Sequence, residues 1–547
     1  MTRRALHGIW MAAIAAAIGV ASSAQARQSA GADAGVDAIF ARWTTATPGC
    51  AVGAAVNGET ILQRAYGMAD LEHDVANRPD TIFEAGSVSK QFTAAAVLLL
   101  ARDGKVTLDD PVRKYVPELP DYGAPLTIRH MLNHTSGLRD WGSVAEIAGW
   151  PRTTRVHTHA HVLDILSRQR SLNFAPGTRW SYSNSGYNLA AIIVSRVSGQ
   201  PFADFTRVRI FEPLGMKRTS WRDDFTRIVK DRAIAYDAGG GGFRTEMPFE
   251  NVHGNGGLLT TVGDLLRWSQ NFAAPVVGDE KFVAEQQEPG RFSDGRRHDY
   301  ALGLRVTTYR GLSEINHSGA TAGYRAYLSR FPSEKLAVAV LCNVSAGDAT
   351  QYAHAVADLF LGKDAAAPAA APPSNVAAAN GAGDIAGMYR RTDTGEPTTV
   401  AQTGAGLRSQ NGAALTPRSP TRYAGVNGET YEFAPGGRLS IIDQFGTVQT
   451  YTRVTAAESK PRPFADYAGD YGSDDAEVMM TAAVHGDALV LRRRPDTVMR
   501  LTPLYADAFR SPIGFVRFHR DAAGTVTAFS VTQDRVWELK FTKTKTN

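Results

Sequence analysis

The stretch Ser87-Val88-Ser89-Lys90, with the apolar run at residues 91–101 (QFTAAAVLLLA) directly after it, decides how the rest of the chain is interpreted. The run is rich in Ala and Leu, lacks Pro and Gly, and is closed by Gly104, so it predicts a helix that is buried on most of its sides. Helical spacing places Lys90 on the same face as Ser87, within hydrogen-bond reach of its hydroxyl. The stretch therefore combines a potential nucleophile with a potential base.

The same residues have a simpler interpretation, in which Ser87 caps a helix and Lys90 is a surface lysine. A Ser-x-x-Lys pattern is expected about once or twice by chance in a chain of this length. Two features oppose the simpler interpretation: the helix is apolar almost all round, and a lysine in a first turn works against the helix macrodipole. The choice depends on motifs elsewhere in the chain.

Length and composition indicate a multidomain globular protein. The chain has 547 residues, of which 43% are hydrophobic and 21% charged, and this length favours two or three domains. Residues 1–26 show the three parts of a secretory signal: Arg3-Arg4, an apolar stretch at 9–20, and Ala24-Gln25-Ala26 before the cleavage point. We therefore expect a periplasmic or secreted protein, and no later segment is long and apolar enough to span a membrane.

Charge and cysteine content exclude several classes. The formal net charge is +5 and falls to +3 once the two arginines of the signal are removed, which is too small an excess to indicate nucleic-acid binding. With only Cys50 and Cys342, the chain has neither a disulfide scaffold nor a Cys-ligated zinc site. His157 and His161 have the spacing of a metal pair but lack a third ligand, so a solvated helix start is the better interpretation. No metal or cofactor is predicted, and the oligomeric state stays open.

Strand patterns at both ends of residues 27–363 predict one shared sheet. Residues 50–66 read as a hairpin through Asn57-Gly58, and two further strands follow His317. Helical patterns lie between them, including a polar loop at 180–187 that opens a helix from Asn188 to Ser198. We expect an α+β domain, an antiparallel sheet flanked by helices with an all-helical subdomain.

The C-terminal third has a different pattern. Residues 364–383 are low in complexity, rich in Ala and Pro, and predict a linker. Beyond the linker, short alternating stretches contain a repeat: residues 384–389 (DIAGMY) return at 466–471 (DYAGDY), 82 positions later. This repeat predicts two β modules, at 384–460 and 461–547, each a small barrel or half of a larger one.

Three short motifs together resemble the serine hydrolases of the penicillin-binding-protein and class C β-lactamase superfamily. They are Ser87-x-x-Lys90, Tyr182-Ser183-Asn184 and His317-Ser318-Gly319, in that order. Five further runs also resemble sequences of this superfamily, at 126–138, 174–178, 182–187, 212–216 and 256–261. The resemblance covers roughly residues 33–362 and implies a β-lactamase-like transpeptidase fold with Ser87 as the catalytic nucleophile.

The chemistry of such a site assigns further roles. A serine hydroxyl needs a neighbouring base as it attacks a carbonyl, and both Lys90, with a pKa lowered by burial, and Tyr182 qualify. The resemblance leaves that choice open. It implies that Asn184 orients Lys90 and the substrate amide, and that the backbone N–H groups of Ser87 and Ala320 form an oxyanion hole.

The third motif differs from the Lys-Thr-Gly that β-lactamases usually carry. His317, with Gly319 two residues on, is expected to bind the substrate and to supply a weaker, pH-dependent positive charge for a carboxylate. The His-x-Gly form and the appended β modules are similar to D-aminopeptidases and D-alanyl-D-alanine carboxypeptidases. In the former, a C-terminal loop reaches the active site and favours short substrates. In the family's sheet the first and last strands are neighbours, which leaves a Cys50–Cys342 disulfide and buried free thiols as alternatives.

These observations predict an exported serine hydrolase that cleaves an amide bond in a small peptide-like substrate through an acyl-enzyme. An esterase or a β-lactamase is the alternative of the same class. A non-catalytic protein that kept the fold is the alternative of another class, and it would require the loss of a catalytic group.

Overall fold

A six-stranded antiparallel sheet organises the N-terminal part of the computed structural model, which describes residues 33–361, 385–404, 406–457 and 463–544. Two neighbouring strands at one edge come from the beginning of the first range and the other four from its end, as predicted. In spatial order the strands are Arg305–Tyr309, Leu312–Thr321, Tyr324–Phe331, Leu336–Cys342, Cys50–Val56 and Glu59–Tyr66. The two ends of the domain are thereby held in one hydrogen-bonded sheet.

The hairpin that carries Cys50 turns through Asn57 and Gly58, both at positive φ (53° and 81°), which suits an Asn-Gly turn. Cys50 lies directly opposite Cys342 on the neighbouring strand, and a disulfide joins the two side chains. The free-thiol alternative is therefore wrong. The bond ties together residues 292 positions apart in the sequence.

The helix that contains Lys90 lies at the centre of this domain. A 3₁₀ turn, Gly86–Ser89, leads into the helix Lys90–Arg102, of which residues 90–100 are all buried. Gly104 follows its end at a φ of 69°, as expected for a helix stop. The described residues contain nine further α-helices: 33–40, Ile128–Leu132, Trp141–Ala148, His159–Arg168, Asn184–Ser198, Phe202–Thr206, Val262–Asn271, Glu280–Gln287 and Ala349–Phe360.

One helix begins earlier than the sequence predicts. The helix expected from Asn188 starts at Asn184, so the last four residues of the predicted polar loop, 184–187, form its first turn, while 180–183 stay outside it. The hydroxyl, amide and phenol groups there are buried and hydrogen-bonded to other elements; for example, Ser185 Oγ donates to the Arg139 carbonyl (2.7 Å). Tertiary contacts therefore override the local polarity that suggested a loop.

The C-terminal part is all β. An eight-stranded antiparallel sheet spans residues 387–454, and eight further strands form a closed barrel, here called the C-terminal barrel, over residues 469–543. The strands of the first sheet are Gly387–Arg391, Pro397–Thr403, Gly406–Arg408, Thr416–Ser419, Arg422–Ala424, Thr430–Ala434, Arg438–Ile442 and Val448–Val454. Those of the barrel are Gly469–Ser473, Val478–His485, Ala488–Arg493, Thr497–Tyr505, Ala508–Ser511, Gly514–Arg520, Val526–Gln533 and Val536–Lys543.

The predicted fold class, an α+β β-lactamase-like domain followed by barrel-like β structure, is confirmed. The domain boundaries stay predictions, and the signal at 1–26 and the linker at 364–383 lie outside the described residues. Among the residues that the structure describes, no helix combines the length and the hydropathy needed to cross a membrane.

Candidate active site

Ser87 and Lys90 meet at the N-terminal end of the central helix. Lys90 Nζ lies 3.0 Å from Ser87 Oγ, 2.9 Å from Asn184 Oδ1 and 2.7 Å from the Asn255 carbonyl oxygen. Ser87 is only partly buried, whereas Lys90 is completely buried. The nucleophile candidate thus faces solvent-accessible space while the base candidate is shielded behind it.

The surroundings of Lys90 favour its neutral form. Burial is the main cause that lowers its pKa well below the usual value, and the guanidinium groups of Arg535 and Arg152 lower it further, whereas Asp140 raises it. A neutral amine that donates to the two carbonyl oxygens, of Asn184 and Asn255, keeps a lone pair for the Ser87 hydroxyl proton. This arrangement suits a general base.

Tyr182 stands beside the same pair. Lys90 Nζ lies 4.8 Å from the centroid of its ring, and the Arg535 guanidinium lies 4.9 Å from it. Burial raises the pKa of the Tyr182 phenol to about 12, although a hydrogen bond with Ser87 and the charge of Arg535 act in the opposite direction. At neutral pH Tyr182 is therefore a phenol that can give a proton.

Residues that the sequence analysis missed hold Asn184 and Lys90 in place. Asp140 accepts the backbone N–H of Asn184 (2.7 Å) through one oxygen and caps the helix Trp141–Ala148 through the other. Asn188 Nδ2 donates to Asn255 Oδ1 (2.7 Å), which fixes the loop whose carbonyl receives Lys90. An Asp directly before the helical pattern at residues 141–148 was the available signal for Asp140, and no comparable signal marks Asn255.

The predicted oxyanion groups lie against each other because two glycines allow it. A Cβ on Gly86, whose φ is +50°, would lie 2.6 Å from the Ala320 nitrogen, and a Cβ on Gly319 would overlap the Ala85 carbonyl and lie 3.1 Å from the Ser87 nitrogen. The neighbouring strand Arg305–Tyr309 pairs only as far as Asn316, so residues 317–321 have a free edge. Residues 317–321 and the turn Gly86–Ser89, which carries Ser87, form the two sides of one cleft.

His317 lies in this cleft, but its predicted charge is wrong. Burial is the main cause that lowers the pKa of the imidazole to about 3, and the neighbouring Lys90 and Arg305 act in the same direction. Nδ1 faces the Ser318 carbonyl (2.6 Å), so it carries the proton, and Nε2 accepts a hydrogen bond from the Tyr300 hydroxyl (2.8 Å). At neutral pH His317 is an uncharged ring held in one tautomer.

The C-terminal barrel reaches the cleft. Asp534 and Arg535 form the turn between its last two strands, and both line the cleft. The Arg535 carbonyl accepts hydrogen bonds from the backbone N–H of Asp140 (3.2 Å) and from Asn173 Nδ2 (3.1 Å). A partly buried ion pair between Arg139 and Asp475 (2.8 Å) supports the same contact.

The cleft has a volume of about 900 Å³. Its walls hold more cations than anions: the guanidinium groups of Arg152, Arg305, Arg325 and Arg535 against the carboxylates of Asp348 and Asp534. All predicted site residues, Ser87, Lys90, Tyr182, Asn184, His317, Gly319 and Ala320, line this cleft or bond directly to residues that do. Such an arrangement can activate a serine hydroxyl for attack on a carbonyl.

Comparison with known proteins agrees with this geometry. The sequence model of the family described as Beta-lactamase matches residues 34–361, more than half of the chain. The chain belongs to the Beta-lactamase family. The resemblance drawn from the three motifs is thereby confirmed, and so is the expectation of a serine-type hydrolase.

Two relatives and one solved structure describe its place in the Beta-lactamase family. A D-aminopeptidase of Gluconobacter oxydans is 31% identical over 316 residues, which cover 58% of this chain and 59% of that protein. A D-aminopeptidase of Brucella melitensis is 26% identical over 507 residues, covering 88% and 93%. The structure of D-amino acid amidase from Ochrobactrum anthropi with D-phenylalanine is 25% identical, covers 60% of this chain and 98% of that one, and gives a TM-score of 0.52.

Proposed function

We propose that this Beta-lactamase-family hydrolase cleaves an amide bond in a short peptide-like substrate, of the D-aminopeptidase or D,D-carboxypeptidase type, through an acyl-enzyme on Ser87. The observation that carries the proposal is the 3.0 Å contact between Ser87 Oγ and a completely buried Lys90 with a lowered pKa. The Gluconobacter and Brucella relatives, both named D-aminopeptidases, support the substrate class.

The residues divide the reaction as follows. Neutral Lys90 takes the Ser87 hydroxyl proton while Oγ attacks the amide carbon, and the N–H groups of Ser87 and Ala320 bind the oxygen that becomes negative. Tyr182, still protonated at neutral pH, gives its proton to the leaving nitrogen and regains one from the Lys90 ammonium. Water then attacks the ester on Ser87 and gives a proton to the same pair, which passes it to Ser87 Oγ as the C–O bond breaks and the acid leaves.

Asn184 and the C-terminal barrel limit which substrates the cleft can bind. Asn184 directs its carbonyl oxygen to Lys90, which leaves its NH₂ group for a substrate carbonyl. Asp534 and Arg535 line the cleft from the barrel side and restrict its length, which favours a substrate of one or a few residues.

Export is part of the proposal. The disulfide between Cys50 and Cys342 is the kind of bond that persists in an oxidising compartment, and it supports a periplasmic or secreted location. Fractionation of cells that express the full chain tests this: the protein should be found outside the cytoplasm, and a cytoplasmic protein with reduced thiols would contradict it.

A panel of chromogenic substrates tests the activity. We expect turnover of D-alanine p-nitroanilide to exceed that of the L-anilide, and Ser87→Ala to abolish it. A p-nitrophenyl ester and a chromogenic cephalosporin measure the esterase and β-lactamase alternatives in the same assay. Equal rates on the D- and L-anilides, or turnover of the cephalosporin alone, would contradict the proposed substrate class.

A further inference from the structure

Arg535 is fixed at the active site although it belongs to the C-terminal barrel. Its carbonyl oxygen is held by the N–H of Asp140 and the side chain of Asn173, and Asn173 also accepts the N–H of Trp537 (2.8 Å). Asp140 is the residue that accepts the N–H of Asn184, so the barrel turn and the Lys90 site share one anchor. The position of the Arg535 backbone is thus coupled to that of the catalytic groups.

The guanidinium of Arg535 lies over the ring that Lys90 also faces. It is 4.9 Å from the centroid of the Tyr182 ring, and Lys90 Nζ is 4.8 Å from the same point, so the guanidinium and the Lys90 nitrogen are at most about 10 Å apart. The acidic side chain beside Arg535, Asp534, lies 3.7 Å away and is itself 95% exposed, which weakens its compensation of the charge.

We infer that Arg535 is a positioning residue from the C-terminal barrel whose permanent charge extends to lower pH the range in which Lys90 can accept a proton. The inference rests on the proposed role of Lys90 as the general base. Because an arginine does not lose its proton in proteins, the effect persists throughout the pH range of catalysis.

The other charged groups near Lys90 leave this role to Arg535. Arg152 is bonded to Glu250 through two of its nitrogens, so its charge is largely compensated. The Asp140 carboxylate accepts three backbone N–H groups, those of residues 142, 143 and 184. Burial lowers the pKa of both His134 and His317, so these rings stay neutral. Arg305 lies over the Trp180 ring, and its charge is paired with the carboxylate of Asp299 (3.1 Å). After burial, Arg535 is the largest cause of the lowered Lys90 pKa.

The rate at which a fluorophosphonate labels Ser87, measured against pH, tests the inference without knowledge of the substrate. A unit charge at this separation in a partly solvated site shifts a pKa by about one unit. In Arg535→Gln the pKa of Lys90 should rise by about one unit, so the labelling rate should begin to fall at a pH about one unit higher than in the wild type. At acidic pH, where the rate falls, the variant should label roughly tenfold more slowly. At higher pH, where the rate no longer depends on pH, the two proteins should label at nearly the same rate. Arg535→Lys should keep the pH dependence of labelling near that of the wild type.

Arg500→Gln is the matched control, because Arg500 is on the barrel surface with its side chain 70% exposed. It should leave the labelling rate unchanged at both acidic and higher pH. An unchanged pH dependence in Arg535→Gln, or the same shift in Arg535→Lys, would overturn the inference while labelling itself supports a reactive Ser87. Failure of the wild-type chain to label at any pH would instead overturn the nucleophile assignment and, with it, the inference.

Discussion

Replacing Gly86 by Ala should disable catalysis while leaving the chain folded. Gly86 has a φ of +50°, and an added Cβ would lie 2.6 Å from the Ala320 nitrogen, where ordinary contact begins near 3.4 Å. The strand segment that carries Ala320 must therefore move by about 0.8 Å away from the turn Gly86–Ser89, which carries Ser87. Misplacement of about 1 Å costs about 10²-fold in rate, and loss of one oxyanion donor costs about 10²–10³-fold. We expect kcat to fall by about 10²-fold.

The assay compares kcat on the chromogenic amide and the thermal midpoint for Gly86→Ala and for Gly199→Ala. Gly199 has the same backbone requirement, with a φ of +71°, but open space around the added Cβ. Both variants should lose about 1 kcal/mol of stability from the positive φ, and only Gly86→Ala should lose activity. A folded Gly86→Ala protein with kcat within about threefold of wild type would refute the assignment of Ala320 to the oxyanion hole.

Three further predictions follow from the same geometry. Lys90→Arg puts a permanently protonated group in place of the neutral amine, so no proton can be accepted there and kcat should fall by about 10²–10⁴-fold at every pH. Initial rates measure this, and a normal rate would exclude Lys90 as the base. Replacing both Cys50 and Cys342 by Ala removes a cross-link between residues 292 positions apart and should destabilise the domain by up to about 5 kcal/mol, measured by denaturant unfolding; an unchanged midpoint would contradict this. His317 has a pKa of about 3 in the folded protein and about 6.5 in the unfolded chain, so the unfolded chain binds the proton first as the pH falls and stability decreases. In His317→Asn, the free energy of unfolding should therefore decrease by about 2 kcal/mol less than in the wild type between pH 7 and pH 5. An identical decrease in both proteins would exclude the buried neutral ring.

Local patterns in the sequence were sufficient for the central helix and the elements around it. Ser87 and Lys90 are three residues apart, so helical geometry alone brings them together, and the Asn57-Gly58 turn is equally local. The shared sheet followed from strands at both ends of one domain. Cys50 and Cys342 could only be expected near each other through the family's strand order, because no local pattern fixes a register across 292 residues.

Other features depended on burial and on distant contacts. The charge state of His317 depends on how deeply the folded protein buries the ring, and the usual pKa of histidine, which was the basis of the prediction, does not include that effect. The early start of the helix at Asn184 depends on Asp140, which accepts its N–H. Arg535 lies more than 400 residues from Lys90 and in a separate barrel, so no motif near the active-site residues could have indicated it.

The central claim is that Ser87 forms a covalent acyl intermediate, and intact-mass spectrometry with peptide mapping tests it most directly. The full chain is mixed briefly with a p-nitrophenyl ester of D-alanine, or with a penicillin, and quenched in acid. The proposed mechanism predicts a single acyl adduct that maps to Ser87 and is absent from Ser87→Ala. An adduct on another residue, or undiminished hydrolysis by Ser87→Ala, would contradict it.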